Sequence, residues 1–218
     1  MQKRILDLAV SIVALALLFP IFILAAAGIK LTSPGPILYK AKRIGLGGKP
    51  FIMYKFRTMH VLQAEKRLVT SVNDPRIFFF GSLLRKAKVD ELPQLLNVLK
   101  GDMSIVGPRP EDPVIVEKNY TAWQLRTLEV LPGLTSPGSL YYYTSGESLL
   151  TGDHTDEKYI EAVMPMKLAI DLYYTENTSL MYDLQIMLRT AYVIVAKLAG
   201  RNDFKEIWEC SKIRFEKK

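Results

Sequence analysis

KVDELPQLLNVLKGD, residues 88–102, sets two carboxylates side by side, Asp90 and Glu91, with Pro93 close behind. Leu92, Leu95, Leu96 and Leu99 recur at helical spacing and supply a buried face, and Gly101 is a natural stop. Asp90 is the expected N-cap of this helix, with Glu91, Leu92 and Pro93 in its first turn, where proline is tolerated. Just upstream, Gly81 to Val89 reads as a short helix carrying Arg85, Lys86 and Lys88. Two readings of the carboxylate pair stay open. In the structural one, Asp90 caps the helix, Glu91 complements its dipole, and lysine or arginine pairs with both. In the chemical one, a helix start and nearby cations gather phosphate. A carboxylate held there can coordinate Mg²⁺ or attack phosphorus.

Downstream, Ser104-Ile105-Val106 leads into Gly107-Pro108-Arg109-Pro110. The prolines fix the backbone on both sides of Arg109, and a rigidly presented guanidinium suits a phosphate.

The chain of 218 residues carries a formal net charge of +7. That length supports one sizeable domain with a core. The charge suits nucleic acid, anionic lipid or phosphate-bearing substrates. A single cysteine, Cys210, excludes an internal disulfide and a cysteine-rich metal site, and a reducing compartment is the simpler reading.

From Ile5 to Ile29 the only charge is Asp7. As a straight helix this stretch would measure about 37 Å, against a bilayer core of about 30 Å. It reads as a retained membrane segment rather than a cleaved leader. Basic residues flank both ends: Lys3 and Arg4 before, then Lys30, Lys40, Lys42 and Arg43 after. If both flanks obey the positive-inside rule, the segment enters and leaves on one face as a re-entrant hairpin broken at Pro20. The alternative is a kinked spanning helix. Under either, Asp7 belongs near the headgroups.

Ser33-Pro34-Gly35-Pro36 ends that segment with a turn. Residues 37–44 and 50–58 then read as two strands joined by Gly45-Leu46-Gly47-Gly48. Phe51, Met53, Lys55 and Arg57 fall on one face of the second strand, so Lys55 and Arg57 are expected to reach one anion together; a solvated strand face is the alternative.

YKFRTM (54–59), DELPQLLNVLKGDMSIVGPRP (90–110), LPGLT (131–135) and DLYYTENTSLMYDLQIMLRT (171–190) follow in that order. With the apolar segment they resemble the bacterial sugar transferase family, the monotopic phosphoglycosyl transferases that begin glycan assembly on polyprenyl phosphate. The likeness runs over nearly the whole chain. The central block is highly specific; LPGLT alone is weak. The resemblance implies Mg²⁺-dependent transfer of a sugar phosphate from a nucleotide diphosphate sugar, most simply a UDP-sugar, to polyprenyl phosphate, with release of nucleoside monophosphate. It implies Asp90 as nucleophile, Glu91 in metal positioning or charge management, and phosphate binding by Arg109, Lys55 and Arg57. Asp90 and Glu91 are the expected metal ligands, and the upstream Arg85 and Lys88, by their place beside the pair, are expected to join in binding phosphate. It also implies that the N-terminal helix is re-entrant and broken at Pro20, in a bacterial inner membrane with the catalytic domain on the cytoplasmic face.

The expected protein is therefore α+β and mainly helical. It has a re-entrant membrane helix (1–32), a small catalytic domain with a β-hairpin and interfacial amphipathic helices (33–200), and a peripheral charged tail (201–218). Its partners are the nucleotide sugar, polyprenyl phosphate and membrane lipids, without nucleic acid, for which no recognition motif is present. A homodimer and the identity of the sugar stay open. A non-catalytic lipid-binding scaffold of the same fold is the alternative.

Three places depart from the family pattern. Ala41 stands where the family often has glutamine. The PGxTGWAQ pattern is here PGLTSPGS, and Leu140 to Met166 differs from the usual segment. In that segment Tyr141–Tyr143 read either as packing or as sugar-stacking aromatics. His154 amid Asp153, Asp156 and Glu157 reads as a solvated loop rather than a metal cluster. Phe78-Phe79-Phe80 are read as core or lipid contacts, and residues 181–199 as an amphipathic helix at the membrane interface or in the core.

Overall fold

Helix α1 (Gln2–Thr32) is a single helix, and Pro20 lies inside it. The computed structural model describes residues 1–61, 74–150 and 155–213. The two-armed hairpin expected from Pro20 is not what the backbone adopts. One missing N–H removes one rung of the ladder, and the turns on either side keep theirs. By length and composition α1 could cross a membrane.

Its two ends are nevertheless both built into the rest of the protein. At the start, Lys3 Nζ donates to Asp183 Oδ2 at 2.7 Å, and Arg4 donates to the carbonyls of Val98 and Leu99 at 2.6 and 3.0 Å. Asp7 is buried and accepts hydrogen bonds from Ser104 Oγ and Ile105 N, both at 3.0 Å. It therefore sits inside the protein rather than among headgroups. Towards the other end, Ala25 and Ile29 are buried with Phe56, Phe78 and Leu84, and Gly28 abuts the ring of Phe80. Between these ends, Ile12, Val13, Leu17, Phe19, Ile23 and Leu24 are exposed.

The expected hairpin forms. β1 (Leu38–Ile44) pairs antiparallel with β2 (Pro50–Phe56), setting Ala41 opposite Met53, and both are buried. α2 (Phe79–Lys86) follows, then α3 (Gln94–Lys100), which ends at Gly101 with φ 91°. Of the phenylalanine run, Phe78 enters the core, Phe80 meets α1, and Phe79 is exposed.

β3 (Ser104–Val106) leads through the proline-flanked arginine to α4 (Pro113–Asn119) and α5 (Ala122–Leu125). β4 (Gly133–Thr135), which is the LPGLT stretch, pairs with β3 in parallel. The two chains approach so closely that a Cβ on Gly133 would stand 2.1 Å from Gly107 N, which only glycine allows. This pair was not legible locally, because both strands are three residues long and lie far apart in sequence.

The divergent segment then forms α6 (Pro137–Tyr141), a π-helical turn over Tyr142–Gly146, α7 (Thr155–Lys158) and a second π-helical turn over Tyr159–Val163. With α8 (Met164–Glu176) it builds a second core cluster around Ile115, Tyr141, Leu150, Val163, Leu168 and Ile170. α9 (Leu180–Leu198) buries Tyr182, Ile186 and Val193 and exposes Met181, Leu184, Leu188, Tyr192 and Val195 at helical spacing. This is an amphipathic helix whose outward face is apolar.

The tail is not peripheral through Ile213. Glu209 has 0% exposure, receives both guanidinium nitrogens of Arg189 at 2.5 and 2.9 Å, and accepts from Tyr182 Oη at 2.9 Å. Ile207, Cys210 and Ile213 pack on the second cluster. A buried carboxylate of this kind must be paired, and removing its arginine costs about 3–5 kcal/mol.

Candidate active site

The site begins with a backbone irregularity. Lys88 takes the left-handed conformation (φ 56°, ψ 18°), the only non-glycine residue to do so among the described residues. The chain then tightens into a 3₁₀ turn over Val89–Glu91 that contains both carboxylates. α3 starts only at Gln94, with Pro93 in the cap position, so Asp90 does not cap it as expected. Proline at that boundary sets the helix start one turn later than the sequence pattern suggests.

Glu91 is held by two cations from different elements. Arg109 Nη1 donates to Oε2 at 3.1 Å, and its other terminal nitrogen donates to Oε1. Lys55 Nζ, from β2, donates to Oε1 at 3.2 Å. Burial alone would raise the Glu91 pKa, but Arg109 and Lys55 hold it well below the usual carboxylate range. Burial also brings the Lys55 ammonium down to about 8, against the pull of Glu91.

Asp90 is treated differently. It is buried, and its Oδ1 has no hydrogen-bond partner. Burial and the adjacent Glu91 charge push its carboxyl upward, while Lys55, Arg85 and Lys88 oppose them. Both carboxylates line a cavity of about 660 Å³ together with Lys55, Arg85, Lys86, Lys88 and Arg109. The arrangement pairs Glu91 with two cations and leaves Asp90, at the wall of the same cavity, with a buried oxygen that has no partner.

Arg57 is not brought to this cavity. It lies just past the end of β2, where the alternation argument no longer applies. Its guanidinium is spent on Ser33 Oγ and O, Pro36 O and Met59 O, at 2.6–3.2 Å. It ties the end of α1 to the hairpin, and Lys55 reaches Glu91 without it.

A match to the family model for bacterial sugar transferases extends over residues 1–197. The chain belongs to this family. One relative is the UDP-glucose:undecaprenyl-phosphate glucose-1-phosphate transferase of Caulobacter vibrioides, 39% identical over 87% of this chain and 68% of that protein. The Escherichia coli protein of the same name is 35% identical over 87% of this chain and 39% of its own length. The Aeromonas hydrophila UDP-N-acetylgalactosamine-undecaprenyl-phosphate N-acetylgalactosaminephosphotransferase is 32% identical over 91% of this chain and 45% of its own length. The chain thus spans less than half of the latter two.

For a divalent cation, this sugar transferase offers few ligands. No group of three His, Cys, Asp or Glu side chains gathers among the described residues. The buried, unpartnered Asp90 oxygen fits a Mg²⁺ ion, which takes one or two carboxylates and completes its shell with water and substrate phosphates. Glu91, held by Arg109 and Lys55, contributes its charge from the next position. His154 and Asp153 lie outside the described residues.

Several cavity residues of the transferase escaped the sequence reading. Glu111 directly follows the proline-flanked arginine, and that adjacency was the available signal. It pairs with Lys167 and accepts from Tyr159 Oη, while Lys167 Nζ also donates to Tyr159 Oη at 2.8 Å. All three line the cavity, as do Tyr142 and Tyr143; Tyr141 instead belongs to the second core cluster.

Proposed function

We propose that this sugar transferase moves a sugar 1-phosphate from a nucleotide diphosphate sugar, a UDP-sugar, to polyprenyl phosphate. Nucleoside monophosphate is released, in the first membrane step of bacterial glycan assembly. The relatives support the substrate classes: all three carry names that join a UDP-sugar to undecaprenyl phosphate. They differ in the sugar, glucose or N-acetylgalactosamine, so the sugar is left open.

The observation that carries the mechanism is the buried, unpartnered Asp90 oxygen in a residue that lines a cavity rich in cations. In the first step Asp90 attacks the phosphorus that bears the sugar. The bond to the nucleoside monophosphate breaks, and an aspartyl phosphosugar forms. Arg109 and the cavity lysines stabilise the charge that moves onto the departing phosphate. In the second step an oxygen of polyprenyl phosphate attacks the same phosphorus and Asp90 leaves as a carboxylate. Mg²⁺ held by Asp90, with Glu91 beside it, would offset repulsion between carboxylate and diphosphate.

Enzyme mixed with nucleotide sugar but no lipid acceptor should release about one equivalent of monophosphate, and chelation should stop that burst. Mass spectrometry should place a sugar-phosphate adduct on the peptide containing Asp90. An adduct on Glu91, or strict dependence of release on acceptor, overturns the assignment; a full burst after rigorous chelation removes Mg²⁺.

The membrane arrangement is proposed to be monotopic, in the bacterial inner membrane with the domain on the cytoplasmic face. Both ends of α1 are seated on one globular body while its middle is bare, and α9 turns an apolar face outward. A helix crossing the bilayer could not keep both seats. In a Cys210→Ser background, Gln2→Cys and Lys49→Cys should both resist a membrane-impermeant thiol label in intact cells. Labelling of only one would establish a spanning helix.

A further inference from the structure

Tyr143 reaches the cavity from the segment that departs from the family pattern. It lies in the π-helical turn Tyr142–Gly146. Such turns are rare and recur at functional sites. The ring of Tyr143 is buried, and Lys88 Nζ stands 3.7 Å from its centroid. Attraction between an ammonium and a ring face extends to about 6 Å, so this contact is close. Glu91 is paired with Lys55 and Arg109, and the Lys88 ammonium instead rests on the face of the Tyr143 ring.

The ring is itself braced. Tyr142 packs edge-on against Tyr143 at 5.7 Å and against Tyr159 at 6.4 Å. Tyr159 is anchored by Glu111 and Lys167. A buried polar network thus holds a row of rings, and the last ring holds a lysine two residues from Asp90. Lys88 also carries the left-handed backbone, whose cost of roughly 1–3 kcal/mol persists only where the surroundings enforce it. A free lysine would spread its ammonium over many rotamers.

We propose that Tyr143 is a positioning residue for phosphoryl transfer, its ring face fixing the Lys88 ammonium in the cavity where the donor's diphosphate charge must be met. The inference rests on the transfer reading above and assigns part of the divergent segment a role in it. The ring acts through Lys88, so its electron density matters as well as its volume.

The test replaces Tyr143→Phe and then fluorinates that ring one, two and three times. Fluorine drains the negative ring face while leaving volume and packing nearly constant, so folding does not confound the series. Each form is made with Lys88 and with Lys88→Met. The readout is kcat and KM for monophosphate release with both donor and polyprenyl phosphate present, which covalent and single-displacement routes both give. The expected result is a stepwise fall of kcat/KM, about tenfold from Phe to the trifluorinated ring, in the Lys88 protein. The Lys88→Met series should be flat. A flat series in the Lys88 protein overturns the inference. So does an equal slope in both, which would seat the ring against substrate instead. Absence of monophosphate release by the unsubstituted protein across a panel of UDP-sugars would refute the transfer reading itself, and this inference with it.

Discussion

Two aspartates are buried to nearly the same depth, Asp7 at 3% exposure and Asp90 at 6%. Asp7 accepts hydrogen bonds from a hydroxyl and a backbone N–H. Asp90 keeps an oxygen with no partner. Two arginines repeat the contrast. Arg57 is spent on the hydroxyl and carbonyls around the end of α1, whereas Arg109 is spent on Glu91, a charged side chain in the cavity. Burial therefore does not separate the anchor of α1 from the candidate site. What separates them is the kind of partner. Hydroxyl and backbone groups do not titrate at neutral pH, while the candidate site leaves one buried carboxylate oxygen without a hydrogen-bond partner.

The largest effect should come from exchanging the roles of the aspartates. Asp90→Asn should lower monophosphate release by at least about a thousandfold if Asp90 is the nucleophile proposed above, with a melting temperature no lower than that of the parent. Asp7→Ala should leave two buried donors unpaired and cost about 1–3 kcal/mol in urea unfolding, while each folded molecule keeps its turnover within a few-fold. If folded Asp7→Ala is as inactive as Asp90→Asn, the contrast between anchor and site collapses.

The arginines should part less widely. Arg109→Met leaves Glu91 buried with Lys55 alone and should cost about a hundredfold in kcat/KM. Arg57→Met orphans the carbonyls of Ser33, Pro36 and Met59, so its cost should appear in unfolding, at about 1–3 kcal/mol. A loss of donor affinity in Arg57→Met comparable with that in Arg109→Met would return Arg57 to the phosphate site.

The smallest effect is in pH. The Lys55 ammonium, brought down to about 8 by burial, is charged below that value and neutral above it. As pH rises through about 8 it should lose its hold on Glu91, and kcat/KM should decline. Lys55→Arg, which stays charged, should move that limb to higher pH. An unmoved limb would assign it to another group.

The sequence was most legible where local pattern carries the physics. The glycine-rich turn between two strands forms where its residues predict, and the neighbouring carboxylates and the proline-flanked arginine share one cavity. Legibility failed where a partner distant in sequence decides. Arg57 follows the strand's alternation by count, but β2 ends at Phe56, and Ser33 then claims the guanidinium. Asp90 looks like a cap because its neighbours are helical, yet Pro93 defers the start of α3. The tail looks solvated from its charge density, but Glu209 finds Arg189 and Tyr182 on α9. Nothing local marks Tyr143 as the ring that meets Lys88, because that contact depends on a π-helical turn.

The seating of the first turn of α1 has a consequence for how the protein is made. Lys3 is synthesised 180 residues before its partner Asp183, and Asp7 nearly 100 residues before Ser104 and Ile105. At about 5–20 residues per second, the start of the helix waits roughly 10–35 s for Asp183 to be translated. During that interval the apolar middle of α1 can already engage lipid, while the charged residues at its start have no protein to receive them. Under the membrane arrangement proposed above, the bilayer would hold α1 until the rest of the chain is made, the mooring delivered before the vessel.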